Sequence, residues 1–234
     1  MSNSTAESSR ASSGWLVLVP TVLERELARA SWPANWPDQW PVNLQICGFG
    51  LTVPAAQAVR LISQFQPRQV LLLGIAGTYS EDLPVGQAAQ FTQVGCYGIG
   101  VGAGSVFRTA NQMGWQQWTG DENTTAISDV ITLRSRSAVN TLEVAGAHRL
   151  LLTSSAASNS AQAVRQRLTA FPTAIAEDME GFAVAVACQL CRVPLSVVRG
   201  ISNRAGDRHH ANWEIELAVA AAVKLSGQMM AEET

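Results

Sequence analysis

Residues 70–73 read Val-Leu-Leu-Leu, and runs of this kind constrain the fold more than any other feature of the chain. A strand with one wet face alternates apolar and polar residues, whereas a strand apolar at every position must be covered on both faces. Short apolar runs at residues 15–19, 42–47, 69–74, 88–94, 149–153, 173–177 and 195–199 predict strands. Between them, residues 23–30, 53–65, 160–169, 179–191 and 212–230 carry helical patterns. Strands alternating with helices predict an α/β domain. The last helix sets Trp213, Ile215, Leu217, Val219 and Val223 among alanines, so it is expected to pack broadly on the core.

The 234 residues are enough for one such domain with a full core, expected over 14–234. Residues 1–13 have no apolar stretch and are expected to form a flexible polar tail; the apolar run after them is too short for a secretory signal. Apolar residues make up 47% and charged ones 15%, which excludes disorder as the ground state. Net charge is −2 and no Lys/Arg run occurs, so neither nucleic acid nor a membrane is expected as partner. No apolar run reaches the ~20 residues that span a bilayer. A cytoplasmic protein is the expectation.

The cysteines are Cys47, Cys96, Cys188 and Cys191. Cys188 and Cys191 stand three apart inside an apolar helical pattern, with no second pair and no histidine at ligand spacing, so they read as core thiols. His209-His210 lacks companion ligands and His148 is isolated, so no metal is expected. Two segments are irregular. Residues 31–41 hold three Trp and three Pro and predict an ordered loop, covering a pocket or a subunit contact. Residues 97–105 alternate glycine in a GxGxGxG spacing that does not match a dinucleotide fingerprint.

Five places combine a strand end with small or polar residues, where open α/β sheets bind ligands. After the first strand come Glu24 and Glu26, acids that also suit a helix N-terminus. Cys47-Gly-Phe-Gly50 and Gly74-Ile-Ala-Gly77 each place a glycine pair after a strand, where backbone can approach a ligand or simply turn. Glu177-Asp178-Met179-Glu180-Gly181 puts three acids against a buried apolar helix, a costly arrangement unless they bind something or reach water. The fifth is Arg199-Gly-Ile-Ser-Asn203-Arg-Ala-Gly-Asp207-Arg, which ends the strand at 195–199 with more polar chemistry than a turn needs.

Taken in order, PTVLE, CGFG, GIAGTY, FPTAIAEDMEGFAVA and RGISNRAGDR resemble the nucleoside phosphorylase/hydrolase superfamily, over about residues 15–220. Within it the futalosine hydrolases are most similar, on SNRAGDR, where nucleosidases for 6-aminopurines carry Ser-Asp. The resemblance implies a three-layer α/β fold, a twisted mixed central β-sheet flanked by helices. It implies release of hypoxanthine from futalosine in menaquinone biosynthesis, no cofactor, and a homo-oligomer of dimer size or larger. Met179 is then expected under the sugar, with Glu180 accepting both ribose hydroxyls and Asp178 beside them. Glu24, with Glu26 as second choice, is expected to orient the attacking water. Gly50 and Gly77 are expected to line the water and sugar side, and Ser158 and Asn159 to contribute backbone contacts to the purine.

An ionised Asp only accepts hydrogen bonds, whereas Asn accepts and donates. Asn203 is therefore expected to accept from protonated N7 and donate to O6 of hypoxanthine. Asp207 is expected to assist protonation of N7 through water, or else to pair with Arg204 or Arg208. The carboxylate at the far end of futalosine needs a cation, for which Arg108 and Arg204 are the candidates. Two other readings stand beside hydrolysis. A phosphorylase would need convergent arginines at its phosphate, and none accompanies GFGLT or GIAGT. A non-catalytic nucleoside binder would keep the same fold, and the presence of Glu24, Glu180 and Asn203 together argues against it.

Overall fold

The computed structural model describes residues 14–33, 42–134 and 149–231. The expected tail at 1–13, most of the Trp- and Pro-rich loop and His148 lie outside the described residues. Chain order is β1 (Trp15–Val19), α1 (Val22–Ser31), β2 (Val42–Ile46), α2 (Val53–Phe65), β3 (Gln69–Thr78), β4 (Ala88–Phe91) and β5 (Gln93–Tyr97). A small ribbon of β6 (Gly100–Val101) and β7 (Arg108–Thr109) follows, then β8 (Val130–Thr132), β9 (Leu150–Ser154) and α3 (Ala161–Ala170). The chain continues through β10 (Ala174–Asp178), α4 (Gly181–Cys191), β11 (Leu195–Arg204) and α5 (Ile215–Ala231).

Among the described residues nine strands form one mixed sheet in the order β2-β1-β3-β10-β9-β5-β8, with β11 joining β3 to β4. The alternation of side chains along β1 shows why both faces are apolar. Leu16 and Leu18 pack with Ala58, Leu61 and Ile62 of α2 and with Phe182, Val184 and Cys188 of α4. Trp15, Val17 and Val19 face the other way, onto Ala28 of α1 and Val219, Ala222 and Val223 of α5. The result is helix, sheet, helix in three layers. A separate cluster of Leu150, Leu152, Phe171 and Ala174 closes the sheet's far side below α3. No helix among the described residues is long and apolar enough to cross a membrane.

Three strand expectations are corrected. Residues 88–94 form two strands, because the chain leaves β11's edge after Phe91 and joins β9 from Gln93. Gln69–Thr78 and Leu195–Arg204 run past the predicted ends, held in a ladder from Leu195↔Val70 to Arg204↔Thr78. Their glycines and polar residues hide this extension from a hydropathy pattern. β8 is only three residues long and gives no pattern to read. The glycine-rich stretch forms the exposed β6–β7 ribbon. Cys188 is buried in α4 and Cys191 half-buried, and burial raises both thiols.

β3 is the strand that creates a site. Its N-terminal half pairs with β1 in parallel, up to Leu18↔Leu72. On the same edge its C-terminal end pairs with β10 in antiparallel, at Ala176↔Thr78 and Glu177↔Gly77. β1 and β10 therefore approach each other C-terminus to C-terminus and stop short of meeting. Residues 73–76 are left without a strand neighbour on that edge, at a point where the sheet changes direction.

Candidate active site

The gap between β1 and β10 opens into a cavity of about 220 Å³, lined by residues from both strand ends, from Ile75, Ala76 and Gly77, and from the end of β11. From β1 the chain turns through Pro20 and Thr21 into α1. Thr21 caps the helix, its hydroxyl oxygen accepting from the N–H of Glu24 at 3.2 Å. The same hydroxyl donates to Glu24 Oε2 at 2.6 Å, a variant of the capping box in which the acid takes the cap's side chain. Glu24 Oε1 accepts the Ile75 N–H at 3.1 Å, inside the gap. Glu24 is only 4% exposed. Burial raises its pKa, against the Thr21 hydrogen bond and the charge of Arg199. Glu26 lies outside the cavity and pairs with Arg25 and Arg29, so of the two acids it is Glu24 that lines the site.

Arg199 is the largest fully buried side chain among the described residues. Its Nε and Nη2 both reach Asp178 Oδ2, at 3.1 and 2.6 Å, and Nη2 also reaches Glu180 Oε2 at 3.1 Å. Nη1 has no hydrogen-bond partner among the described residues. It lies against Gly74: a Cβ there would stand 2.3 Å from Nη1 and 2.7 Å from Glu24 Oε1. Only glycine lets this cation and this acid approach the same point of β3. Three acids thus surround one guanidinium, and Glu180 responds. Burial first and the Asp178 charge second raise it to about 8, against the attraction of Arg199.

Of the three acids of the EDME stretch, Glu177 pairs with Arg167, while Asp178 and Glu180 share Arg199. Asp178 lines the cavity as well, but its carboxylate is engaged inside the protein. Its Oδ1 accepts from Thr153 Oγ1 at 2.6 Å, and its Oδ2 accepts from the Gly181 N–H at 2.8 Å as well as from Arg199. Its carboxylate starts α4 and anchors Arg199. Glu180 and Met179 do line the cavity. Glu177 also lines it, turned toward Arg167, Tyr79 and Ser158.

On the β11 side, a bulge between Ile201 and Asn203 sets Asn203 beside Gly77. Asn203 is 7% exposed and lines the cavity with Ser202. Its Oδ1 accepts from Ser202 Oγ at 2.8 Å and its Nδ2 donates to the Arg204 carbonyl at 2.9 Å. A carbonyl only accepts, which fixes which end of the amide faces it. One lone pair and one N–H of Asn203 remain.

Four expected site residues fall elsewhere. Ser158 donates both its N–H and its hydroxyl to Glu177, at 2.8 and 2.6 Å, so neither is offered to a base. Asn159 is exposed; Ala157 is the residue of that loop that lines the cavity. Gly50 is not among the lining residues, and its neighbour Phe49 covers that side. Asp207 turns away from the cavity to cap the turn after it, accepting from the His209 N–H and from Asn212 Nδ2, at 2.8 and 2.9 Å. The Asn212 and His209 bonds lower its pKa, the opposite of what a proton donor needs. Gly77 lines the cavity.

Arg208 and Trp213 were missed as site residues. Both line the cavity, with the Arg208 guanidinium 4.9 Å above the Trp213 ring and His210 stacked on it at 4.5 Å. Arg108 and Arg204, the expected partners of a substrate carboxylate, do not line it, and Arg204 faces Glu81 at 3.6 Å. Arg199 carried a signal, since a charged residue inside an apolar strand has to be paired.

Comparison with known proteins bears on the family and the fold. The model of the phosphorylase superfamily matches residues 38–232. A 5'-methylthioadenosine/S-adenosylhomocysteine nucleosidase of Marinomonas is 28% identical over 202 residues, covering 86% of this chain and 84% of that protein. A solved 5'-methylthioadenosine/S-adenosylhomocysteine nucleosidase of Colwellia psychrerythraea, in complex with adenine, has a TM-score of 0.75 at 20% identity, covering 94% of this chain and 96% of that one. The native futalosine hydrolase of Helicobacter pylori has a TM-score of 0.69 at 16% identity, covering 94% of this chain and 98% of that one. At such identities the last two likenesses concern the fold.

Proposed function

The chain belongs to the phosphorylase superfamily, and on that premise we propose that it is a nucleosidase that hydrolyses the N-glycosidic bond of a 6-oxopurine nucleoside, with futalosine as substrate. Hypoxanthine and dehypoxanthine futalosine are the products, a step of menaquinone biosynthesis. The observation that carries the reading is Asn203, which lines the cavity with one acceptor and one donor still available. Hypoxanthine, leaving with a proton taken up from solvent on N7, offers a donor there and an acceptor at O6, and the amide matches both.

The acids supply the rest. As the bond to the base breaks, the sugar becomes oxocarbenium-like and water adds to the anomeric carbon. Glu24 takes the proton from that water; burial has already raised its affinity for one. Arg199, buried behind Gly74, lowers the cost of charge on Glu24 without reaching the cavity. Glu180 as a carboxylate accepts the ribose hydroxyls, and Met179 forms the apolar floor. Hydrolysis is favoured over phosphorolysis because Arg208 is the one arginine among the described residues that line the cavity, whereas a phosphate needs several convergent donors. The cavity of about 220 Å³ is below the ~300–1,000 Å³ that encloses a drug-sized ligand. Base and sugar fill it, and the rest of the substrate emerges past Trp213, where Arg208 meets its carboxylate.

The Marinomonas relative favours a second reading, a nucleosidase for 6-aminopurines. Release of hypoxanthine and adenine from futalosine, inosine, aminofutalosine and methylthioadenosine, with and without phosphate, decides between them. Phosphate-independent hypoxanthine release from futalosine is expected, with Asn203→Asp lowering the 6-oxo preference at least ~10-fold. Adenine release from methylthioadenosine as the main activity would overturn the proposal.

A further inference from the structure

We infer that Glu177 is a specificity-determining residue of this cavity, reading the N1–H of the bound purine from the side opposite Asn203. The inference rests on the 6-oxopurine reading and extends it to a second edge of the ring.

The sheet register places the two side chains. Gly77 pairs with Asn203 of β11 on one side and with Glu177 of β10 on the other. Residues directly opposite one another in a sheet project from the same face. With strands ~4.8 Å apart, the two backbones stand ~10 Å apart across Gly77. Both residues line the same cavity, and between them Gly77 has no side chain to fill the slot. A flat ring standing over Gly77 therefore meets an amide at one edge and a carboxylate at the other.

The partners of Glu177 decide what that carboxylate can do. Oε2 accepts from the Tyr79 hydroxyl at 2.6 Å, from Ser158 Oγ at 2.6 Å, and from Arg167 Nη1. Oε1 accepts from the Ser158 N–H at 2.8 Å. Every one of these groups donates, so Glu177 is held as an acceptor, and Oε1, which takes one of these bonds, has a lone pair left. Arg167 also donates to Ser158 Oγ and the Ala156 carbonyl and lies 5.5 Å over the Tyr97 ring. Arg167, Tyr79 and Ser158 are thus positioning residues. A buried ion pair adds little stability over an apolar one, so fold stability alone gives no reason for a carboxylate here. What Glu177 offers the cavity beyond those bonds is a negative charge and a further acceptor site, which suits a donor on the ligand.

A 6-oxopurine carries a hydrogen on N1, while a 6-aminopurine presents N1 as an acceptor. Glu177 would attract the first and repel the second. With Asn203 at N7 and O6, the C6 carbonyl is then held from both flanks.

The test uses the wild-type protein and its products. Calorimetric affinities are measured for hypoxanthine, 1-methylhypoxanthine and adenine, then for the same three with Glu177→Gln. Hypoxanthine is expected to bind about 10–100-fold more tightly than either of the others, the range of one hydrogen bond to a charged group. In Glu177→Gln, whose amide can donate to a bare N1, the hypoxanthine-to-adenine ratio is expected to fall at least ~10-fold. Equal affinity for hypoxanthine and 1-methylhypoxanthine would overturn the inference while leaving the 6-oxo reading intact. Adenine bound more tightly than hypoxanthine, or no binding of hypoxanthine, would overturn both. If Glu177→Gln weakens all three alike, the residue is structural and the inference fails; if that variant does not fold, the wild-type series still decides.

Discussion

At the scale of single residues, Glu24 illustrates how an acid at a helix-capping position comes to line a cavity. The Thr21–Glu24 spacing is that of a capping box, and a capping acid ordinarily sits in solvent. Here the carboxylate turns inward to the Ile75 N–H, because the strand pairing along that edge of β3 stops at Leu72. Glutamine keeps the shape and still offers an oxygen to that N–H, but it cannot take a proton. Glu24→Gln is expected to lower kcat by ~10²–10⁴-fold with its melting temperature within a few degrees of wild type. Steady-state kinetics and a thermal melt check this, and a loss below about 10-fold would remove Glu24 from proton transfer. Legibility at this scale was uneven. Glu24, Met179, Glu180 and Asn203 were readable as candidates from their motifs, and all four line the cavity. Asp207 was misread, and Asp178 lines the cavity with its carboxylate already engaged, since a sequence shows an acid without showing which donors fold onto it.

At the scale of elements, the site depends on how closely α5 packs against β11. Gly200 has no side chain where the Ala218 carbonyl passes; a Cβ there would lie 1.8 Å from that oxygen. Any larger residue must push helix and strand apart, and overpacking of this kind costs about 1–3 kcal/mol. Gly200→Ala is therefore expected to lower the urea midpoint, and to lower kcat/KM as well, because Asn203 lies three residues further along the same strand. A midpoint unchanged within error would mean that α5 is free to shift. The β11 bulge acts at this scale too. One extra residue at Ser202 changes which face the following side chains take, and so puts Asn203 opposite Gly77. The strand's existence was legible in its apolar run. The bulge was not, because it is set by the pairing with β3.

At the scale of the whole molecule, the buried charges do not balance. Glu24, Asp178 and Glu180 lie around Arg199, and the cost falls on Glu180, raised from its ordinary 4.5 to about 8. Between these values the folded protein holds a proton that the unfolded chain has released, so the native state binds more protons. Stability must then fall as pH rises through that window and level off above it. The slope reaches on the order of 1 kcal/mol per pH unit for one group. Urea unfolding at several pH values across the window, for wild type and Glu180→Gln, is expected to show that fall in wild type and a flatter dependence in the variant. An identical slope in both would assign the proton to another group. On the proposed reading, ribose hydroxyls donating to Glu180 favour its carboxylate, so substrate would oppose this cost.

The sequence by itself determined the α/β class, most of the elements and the strand ends where chemistry gathers, because periodicity and motif spacing are properties of neighbours along the chain. Tertiary structure alone decided which acid does what. Glu177, Asp178 and Glu180 lie within four residues of one another, yet Glu177 pairs with Arg167 while Asp178 and Glu180 share Arg199. Their faces are set by strands and helices distant in sequence. The same holds for Ala157 in place of Ser158 and Asn159, and for Arg208 in place of Arg108 and Arg204. Which way a side chain points at a strand end is a matter of register, and register belongs to the sheet as a whole.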